Sequence, residues 1–238
     1  MMIKTIAFDA DDTLWENEHF FKVTEAAFTN LLARHAPEGR VADRLFATEM
    51  KNLEIYGFGI KGFLLSMIET ALEVTDNRAS GETIAEILQI GREMLRHPVT
   101  FLPGADDAIR SLQGQYRLLL ITKGDIFDQE RKIALSGLSD CFDAIEIVAD
   151  KKMQTYQRIF RRHDADPART MMVGNSLKSD IIPVLDAGGW ATYVPHPLTW
   201  GAEFEREPVG RARYARIAAL ADLAGLLEGK TSMIVDSG

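Results

Sequence analysis

Two kinds of hydrophobic pattern run along this chain, and one long stretch carries only one of them. Residues 3–8 (IKTIAF) form a short apolar run that stops against Asp9, Asp11 and Asp12, as a buried strand does. From residue 15 the period changes. Phe20, Val23, Ala27 and Leu31 recur at helical spacing, as do Leu45, Glu49 and Leu53 with Phe46 and Met50 beside them. Residues 63–74 and the set Ile84, Ile87, Leu88, Gly91 and Leu95 predict two further helices. Turn-forming residues at 36–40, 56–62 and 75–81 separate these segments. Residues 15–97 are therefore predicted to be all helical.

After Pro98 strands and helices alternate. Helices are predicted at 103–113, 125–138, 153–162, 179–189 and 216–228, and strands at 117–122, 143–148, 169–174 and 190–195. Short apolar strands alternating with helices of this length predict an α/β fold with a doubly wound parallel sheet. The helical block interrupts that alternation after the first strand and reads as an inserted domain. The expected organisation is a core of residues 1–14 and 98–230, an inserted helical domain at 15–97 and a polar tail at 231–238.

Composition narrows the setting. The chain has 238 residues, 46% hydrophobic and 26% charged, a globular balance that excludes disordered and collagen-like classes. Its net charge of −8 repels polyanions, so neither nucleic acid nor an anionic membrane is an expected partner. No run approaches the ~18 apolar residues of a membrane span. The early acids leave no apolar stretch for a signal peptide. One cysteine, Cys141, can form neither an internal disulfide nor a zinc pair, which fits a cytoplasmic protein. A small anionic substrate stays open, because a metal ion or lysine inverts the field within one pocket.

In an open parallel sheet, functional groups collect at the carboxyl ends of the strands. The first strand ends in Asp9, with Asp11 and Thr13 following. The strand at 117–122 ends in Thr122, Lys123 and Gly124. The strand at 143–148 is followed by Asp150, Lys151 and Lys152. The strand at 169–174 is followed by Asn175, Ser176 and Asp180. Together these form an inventory for phosphoryl transfer. Oxygen ligands suit Mg²⁺ with a substrate phosphate. Asp9 could attack phosphorus as a carboxylate nucleophile. Asp11 could protonate the leaving oxygen and later deprotonate water. Thr122 and backbone N–H groups could hold the phosphoryl oxygens, with Lys151 offsetting charge.

The segments FDADDTLW, LLLITKGD, a lysine after the next strand and VGNSLKSD occur in the order found in the haloacid dehalogenase-like (HAD) hydrolases, which this chain resembles over residues 1 to about 225. The resemblance implies a Rossmann-like core with a helical cap between the first and second motifs. It also implies Mg²⁺-dependent hydrolysis of a small phosphorylated metabolite through an aspartyl-phosphate. It places Asp9 as nucleophile, Asp11 as acid/base, and Asp9, Asp11 through its carbonyl, Asn175 and Asp180 around the metal. Thr122, Lys123 and Lys151 would contact phosphate, and Lys61, on a loop between cap helices, the substrate. The adjacent Lys151 and Lys152 compete for one role, and the spacing to Tyr156 favours Lys151. Asn175 stands where the family more often has Asp, so weaker metal affinity or more reliance on Asp180 is expected. An acid two residues after the nucleophile suits an alcohol leaving group and disfavours a 2-haloacid dehalogenase, whose halide leaves without a proton. A phosphomutase, and outside the enzymes a receiver-like phospho-accepting module, are the competing readings. The apolar faces of the cap helices would serve a core or a homodimer interface.

Several residues have plainer readings. Asp12 and Asp125 are placed to cap turns or helices. Gly57, Gly59 and Gly62 match GxGxxG, but a helical pattern precedes them where a dinucleotide site needs a strand, so a loop between helices is expected. His97 reads as a residue of the junction and Cys141 as a packed thiol. Trp15 and Glu16 are expected to move with the cap.

Overall fold

A computed structural model describes residues 2–229, except for the side chain of Glu38. The expected tail at 231–238 lies outside the described residues. The chain divides into two compact units. One comprises the stretch up to Glu18, Val99–Lys123 and the chain from Arg131 onward; the other comprises His19–Pro98 and Gly124–Glu130.

The first unit is built on a six-stranded sheet of β1 (Thr5–Phe8), β2 (Arg117–Lys123), β3 (Ala144–Val148), β4 (Thr170–Gly174), β5 (Trp190–Tyr193) and β6 (Tyr214–Arg216). The spatial order is β3-β2-β1-β4-β5-β6, and every pair is parallel. Side chains alternate between two buried clusters. Ile6, Phe8, Leu118, Leu120, Met171 and Val173 enter one; Ala7, Leu119, Ile121 and Met172 enter the other. Both faces are therefore dry, which is why these strands read as continuous apolar runs. The strand order reverses at β1, between β2 and β4, and such a switch point opens a crevice at the strand ends.

Helices α1 (Glu18–Leu31), α2 (Glu38–Tyr56), α3 (Ile60–Val74) and α4 (Gly81–Met94) follow β1 and make up most of the second unit. Phe28, Leu32, Leu45, Phe63, Met67 and Ile87 form its core. The inward face of α1 is not the predicted one. Val23 is exposed, while Thr24 and Phe28 are buried. Apolar residues occur on several sides of α1, so period alone did not select the packed stripe. Phe46 and Met50 of α2 are likewise exposed.

Two predicted helices in the α/β unit are corrected. The helix expected from 216 begins later, as a short turn at Leu220–Asp222 and α9 (Leu223–Leu227), because residues 214–216 pair with β5. The helix expected at 179–189 is a π-type turn at Leu177–Ile181 followed by α8 (Ile182–Asp186). Trp15 is fixed in the α/β core at 1% exposure, bridged by its backbone to Asp11 and Phe101. The remaining helices are α5 (Ala105–Leu112), α6 (Ile126–Ser136) and α7 (Met153–Arg162). Among the described residues no helix is long and apolar enough to cross a membrane.

Within the GxGxxG stretch, residues 57–59 form the turn between α2 and α3, and Gly62 lies in the first turn of α3. Gly57 (φ 71°, ψ −169°) and Gly59 (φ 112°, ψ 177°) occupy backbone space open essentially to glycine alone. Replacing Gly57 with Ala should lower unfolding stability by about 1–3 kcal/mol in denaturant melts. The unaltered protein should show no NAD binding by calorimetry, and binding at this turn would restore a dinucleotide role.

Candidate active site

Asp9 directly follows β1, and its backbone N–H continues the ladder to the Val173 carbonyl of β4 (2.9 Å). This register brings Asp9 beside the end of β4 and the turn that carries Asp180. Between them lies Lys151, whose side chain is 2% exposed. Its ammonium donates to Asp9 Oδ1 and, at 2.7 Å, to Asp180 Oδ1. Lys152 faces solvent at 73% exposure and pairs with Asp150. The structure thus separates two lysines that the sequence leaves adjacent.

The turn after β4 is shaped around Asp180. Ser176 Oγ accepts the Ser179 N–H (3.0 Å), and the Ser176 N–H donates to Asp180 Oδ2 (3.0 Å). A Cβ at Gly174 would lie 2.4 Å from Asp180 Oδ2, so only glycine lets the carboxylate fold back this far. The π-type turn serves that purpose, which the sequence pattern did not reveal.

Burial, reinforced by Asp180, pushes the Asp9 carboxyl up to about 7 although Lys151 opposes the shift. Burial also works against the charge of Lys151, but Asp180 and Asp9 outweigh it and hold the ammonium above the ordinary lysine value. The centre therefore keeps its cation firmly protonated and makes an ionised Asp9 costly.

The other oxygen of Asp9 meets a different group. Thr13 Oγ1 lies 3.2 Å from Asp9 Oδ2 and 3.1 Å from Asn175 Oδ1, and accepts the Asn175 backbone N–H (3.1 Å). The amide end of Asn175 that faces Asp9 is 3.2 Å from Asp9 Oδ2 and 3.2 Å from the Asp11 carbonyl. With nitrogen at that end the amide would donate to both. With oxygen there, as placed, three acceptors converge. Ligand oxygens around Mg²⁺ at ~2.1 Å stand roughly 3 Å apart. An all-oxygen set at this spacing fits a hard divalent cation, and the cation would favour the ionised form of Asp9.

A family model described as haloacid dehalogenase-like hydrolase matches residues 3–188. The chain belongs to the haloacid dehalogenase-like hydrolases. The glyceraldehyde 3-phosphate phosphatase of Methanothermobacter thermautotrophicus is 27% identical over 219 residues, 87% of this chain and 91% of that protein. A haloacid dehalogenase-like family hydrolase from Xanthomonas campestris superposes with a TM-score of 0.84 at 39% identity, covering 96% of this chain and 91% of that one. An L-2-haloacid dehalogenase from Xanthobacter autotrophicus superposes with a TM-score of 0.62 at 17% identity, covering 97% and 100%, which shows a shared fold.

Around the centre of this HAD-like hydrolase, the remaining expected residues scatter. Thr122 is fully buried near the end of β2. The Asp11 side chain is held by Trp15, whose Nε1 donates to Oδ1 (2.7 Å), and by Lys132 of α6, not singled out in the sequence, whose Nζ reaches both oxygens (2.7 Å each). Lys61 is placed in the helical unit, where it pairs with Asp125 (3.1 Å) and lies over the Phe127 ring. Asp125 also accepts the Asp128 N–H at the start of α6. Asp12, Glu16 and His196 bring two carboxylates and an imidazole within 4.8 Å of one another. The Asp12 oxygens, however, accept the Asn17 and Glu18 N–H groups that open α1, and His196 Nδ1 is bound to the Leu198 backbone. This cluster is a clamp on the chain leaving β1.

Lys123 is engaged by Glu203, a residue absent from the sequence reading. Glu203 accepts from Lys123 Nζ (2.5 Å), Ser176 Oγ (2.5 Å) and Ser179 Oγ (2.5 Å). Burial would raise its pKa, but Lys123 and the two hydroxyls outweigh this and hold it at about 2, below the usual 4.5. The ionised form thus stabilises the fold above pH 4.5, and that contribution fades as pH falls from 4.5 toward 2. Glu203→Gln should cost roughly 2–3 kcal/mol near neutrality in urea unfolding, with the gap to the unaltered protein closing in acid.

Proposed function

We propose that this chain is a Mg²⁺-dependent phosphohydrolase that cleaves a small phosphomonoester through a phosphoryl group carried on Asp9. The observation that carries the reading is the buried Lys151 ammonium that binds Asp9 and Asp180 together, with the other Asp9 oxygen facing Thr13 and the Asn175 amide. The phosphatase relative supports the substrate class. In this reading an Asp9 oxygen attacks phosphorus while the ester P–O bond breaks, and the departing alcohol oxygen takes a proton from Asp11. Water then attacks the phosphoryl group, Asp11 accepts the water proton, and the bond to Asp9 breaks to release inorganic phosphate. Lys151 offsets the charge that Asp9, Asp180 and the phosphoryl oxygens bring together, and the Thr122 hydroxyl holds one of those oxygens. Asp9, the Asp11 carbonyl and Asn175 would hold a Mg²⁺ ion, with Asp180 adding charge nearby, and the ion would supply electrostatic stabilisation of the phosphoryl oxygens.

Asp11 favours an alcohol over a halide leaving group, because halide needs no proton. The helical domain, residues 15–97, is the cap in this reading and carries the choice of substrate, with residues 1–14 and 98–230 as the catalytic core. The substrate is a small phosphorylated metabolite of the cytoplasm.

Release of nitrophenol from para-nitrophenyl phosphate should require Mg²⁺ and stop with EDTA. Asp9→Asn should reduce it to background and Lys151→Met by at least ~100-fold. Lys152→Met should stay within about twofold, as a solvated surface charge does. Full activity of Asp9→Asn, or metal-independent chloride release from a 2-haloacid, would overturn the reading.

A further inference from the structure

Lys132 carries a charge that the reaction as written does not use. It stands on α6 with its side chain only 11% exposed. Its ammonium lies 2.7 Å from each carboxylate oxygen of Asp11 and 3.2 Å from Asn17 Oδ1. Asp11 Oδ1 also accepts from Trp15 Nε1, and the Trp15 ring is locked in the core against Phe101. The carboxylate is therefore held by a helix-borne ammonium and by an indole fixed in the core.

Fold stability gives little reason for this arrangement. Taking an ammonium largely out of water costs several kcal/mol, and a single carboxylate only offsets that cost. An apolar side chain of similar length often serves stability as well or better. Proton transfer gives a stronger reason. An acid/base that serves both a departing alcohol and an arriving water must stay in one place through both steps. A misplacement of about 1 Å can cost on the order of 100-fold in rate. An unsupported Asp at a strand end would be free to change rotamer.

We infer that Lys132 is a positioning residue that fixes the Asp11 carboxylate for proton transfer to and from the substrate oxygens. The inference rests on the reading of Asp11 as acid/base. Lys132 touches no reacting atom and acts through Asp11, with Trp15 as the second point of support.

The experiment compares kcat/KM for glycerol 3-phosphate and para-nitrophenyl phosphate in the unaltered protein, Lys132→Met, Lys132→Arg and Asp11→Asn. This ratio of constants reports the steps up to departure of the alcohol. The alkoxide must be protonated as it leaves, whereas nitrophenolate leaves without help. Lys132→Met should lower kcat/KM on the order of 10–100-fold for the alkyl ester and only a few-fold for the nitrophenyl ester. Asp11→Asn should show the same imbalance, larger. Lys132→Arg should restore part of the loss on the alkyl ester. The ratio between two esters measured on one preparation does not change with the fraction folded, so a merely destabilised variant leaves it unmoved. An unchanged ratio in Lys132→Met, beside a shifted ratio in Asp11→Asn, would overturn the assignment of Lys132 alone. If Asp11→Asn leaves the ratio unmoved, or the unaltered protein hydrolyses neither ester, the reading of the site fails and the assignment falls with it.

Discussion

The Lys151 ammonium, buried between Asp9 and Asp180, is the interaction on which the rest of the site depends. Two carboxylates delivered by neighbouring parallel strands would otherwise repel each other in a dry pocket. Burial already disfavours the ionised form of Asp9, and Asp180 adds to that. One buried ammonium serves both acids. Removing one partner of such a buried group leaves an uncompensated charge, which is far more costly than losing a surface pair. The geometry of the sheet follows this need. The reversal of strand order at β1 brings Asp9 to the end of β4, β3 leads into Lys151, and Gly174 leaves room for Asp180 to turn back.

A second layer of ion pairs surrounds the first and ties separate segments to it. Lys132 on α6 and Trp15 hold Asp11, while Glu203 joins Lys123 at the end of β2 to Ser176 and Ser179 beside Asp180. Apart from the local Trp15 contact, each link spans segments distant in sequence, so the strand ends are cross-braced. A chemical centre that must hold its groups within about half an ångström needs such support. The Glu203 brace also places Lys123, expected from the sequence to meet phosphate, in an ion pair.

Much of this fold was legible because β1, β2 and β4 are buried on both faces and bear little but apolar residues, so their ends mark the acids that follow. Asp9 and Asp180 could be found as polar residues at or just beyond those ends, and Lys151 beyond β3. Lys132 could not. In the run DIFDQERKIALSGL it looks like any charge on a solvated helix face, and only the path of α6 reveals its partner. Glu203 lies in an irregular stretch with three acids within five residues, and period carries no information there. The sixth strand was hidden because residues 214–216 are three residues long and followed by Ala-rich text that suits a helix. The π-type turn at 177–181 exists to place Asp180, a demand of the site rather than of local propensity.

The central claim is that Asp9 itself accepts the phosphoryl group. Its most direct measurement is acid quenching of the protein during turnover of a phosphomonoester, followed by peptide mass analysis. The account predicts one added phosphoryl group on the peptide bearing Asp9, formed within a single turnover and absent from Asp9→Asn. Turnover with label on another residue, or with no label at any time while phosphate is released, would contradict it.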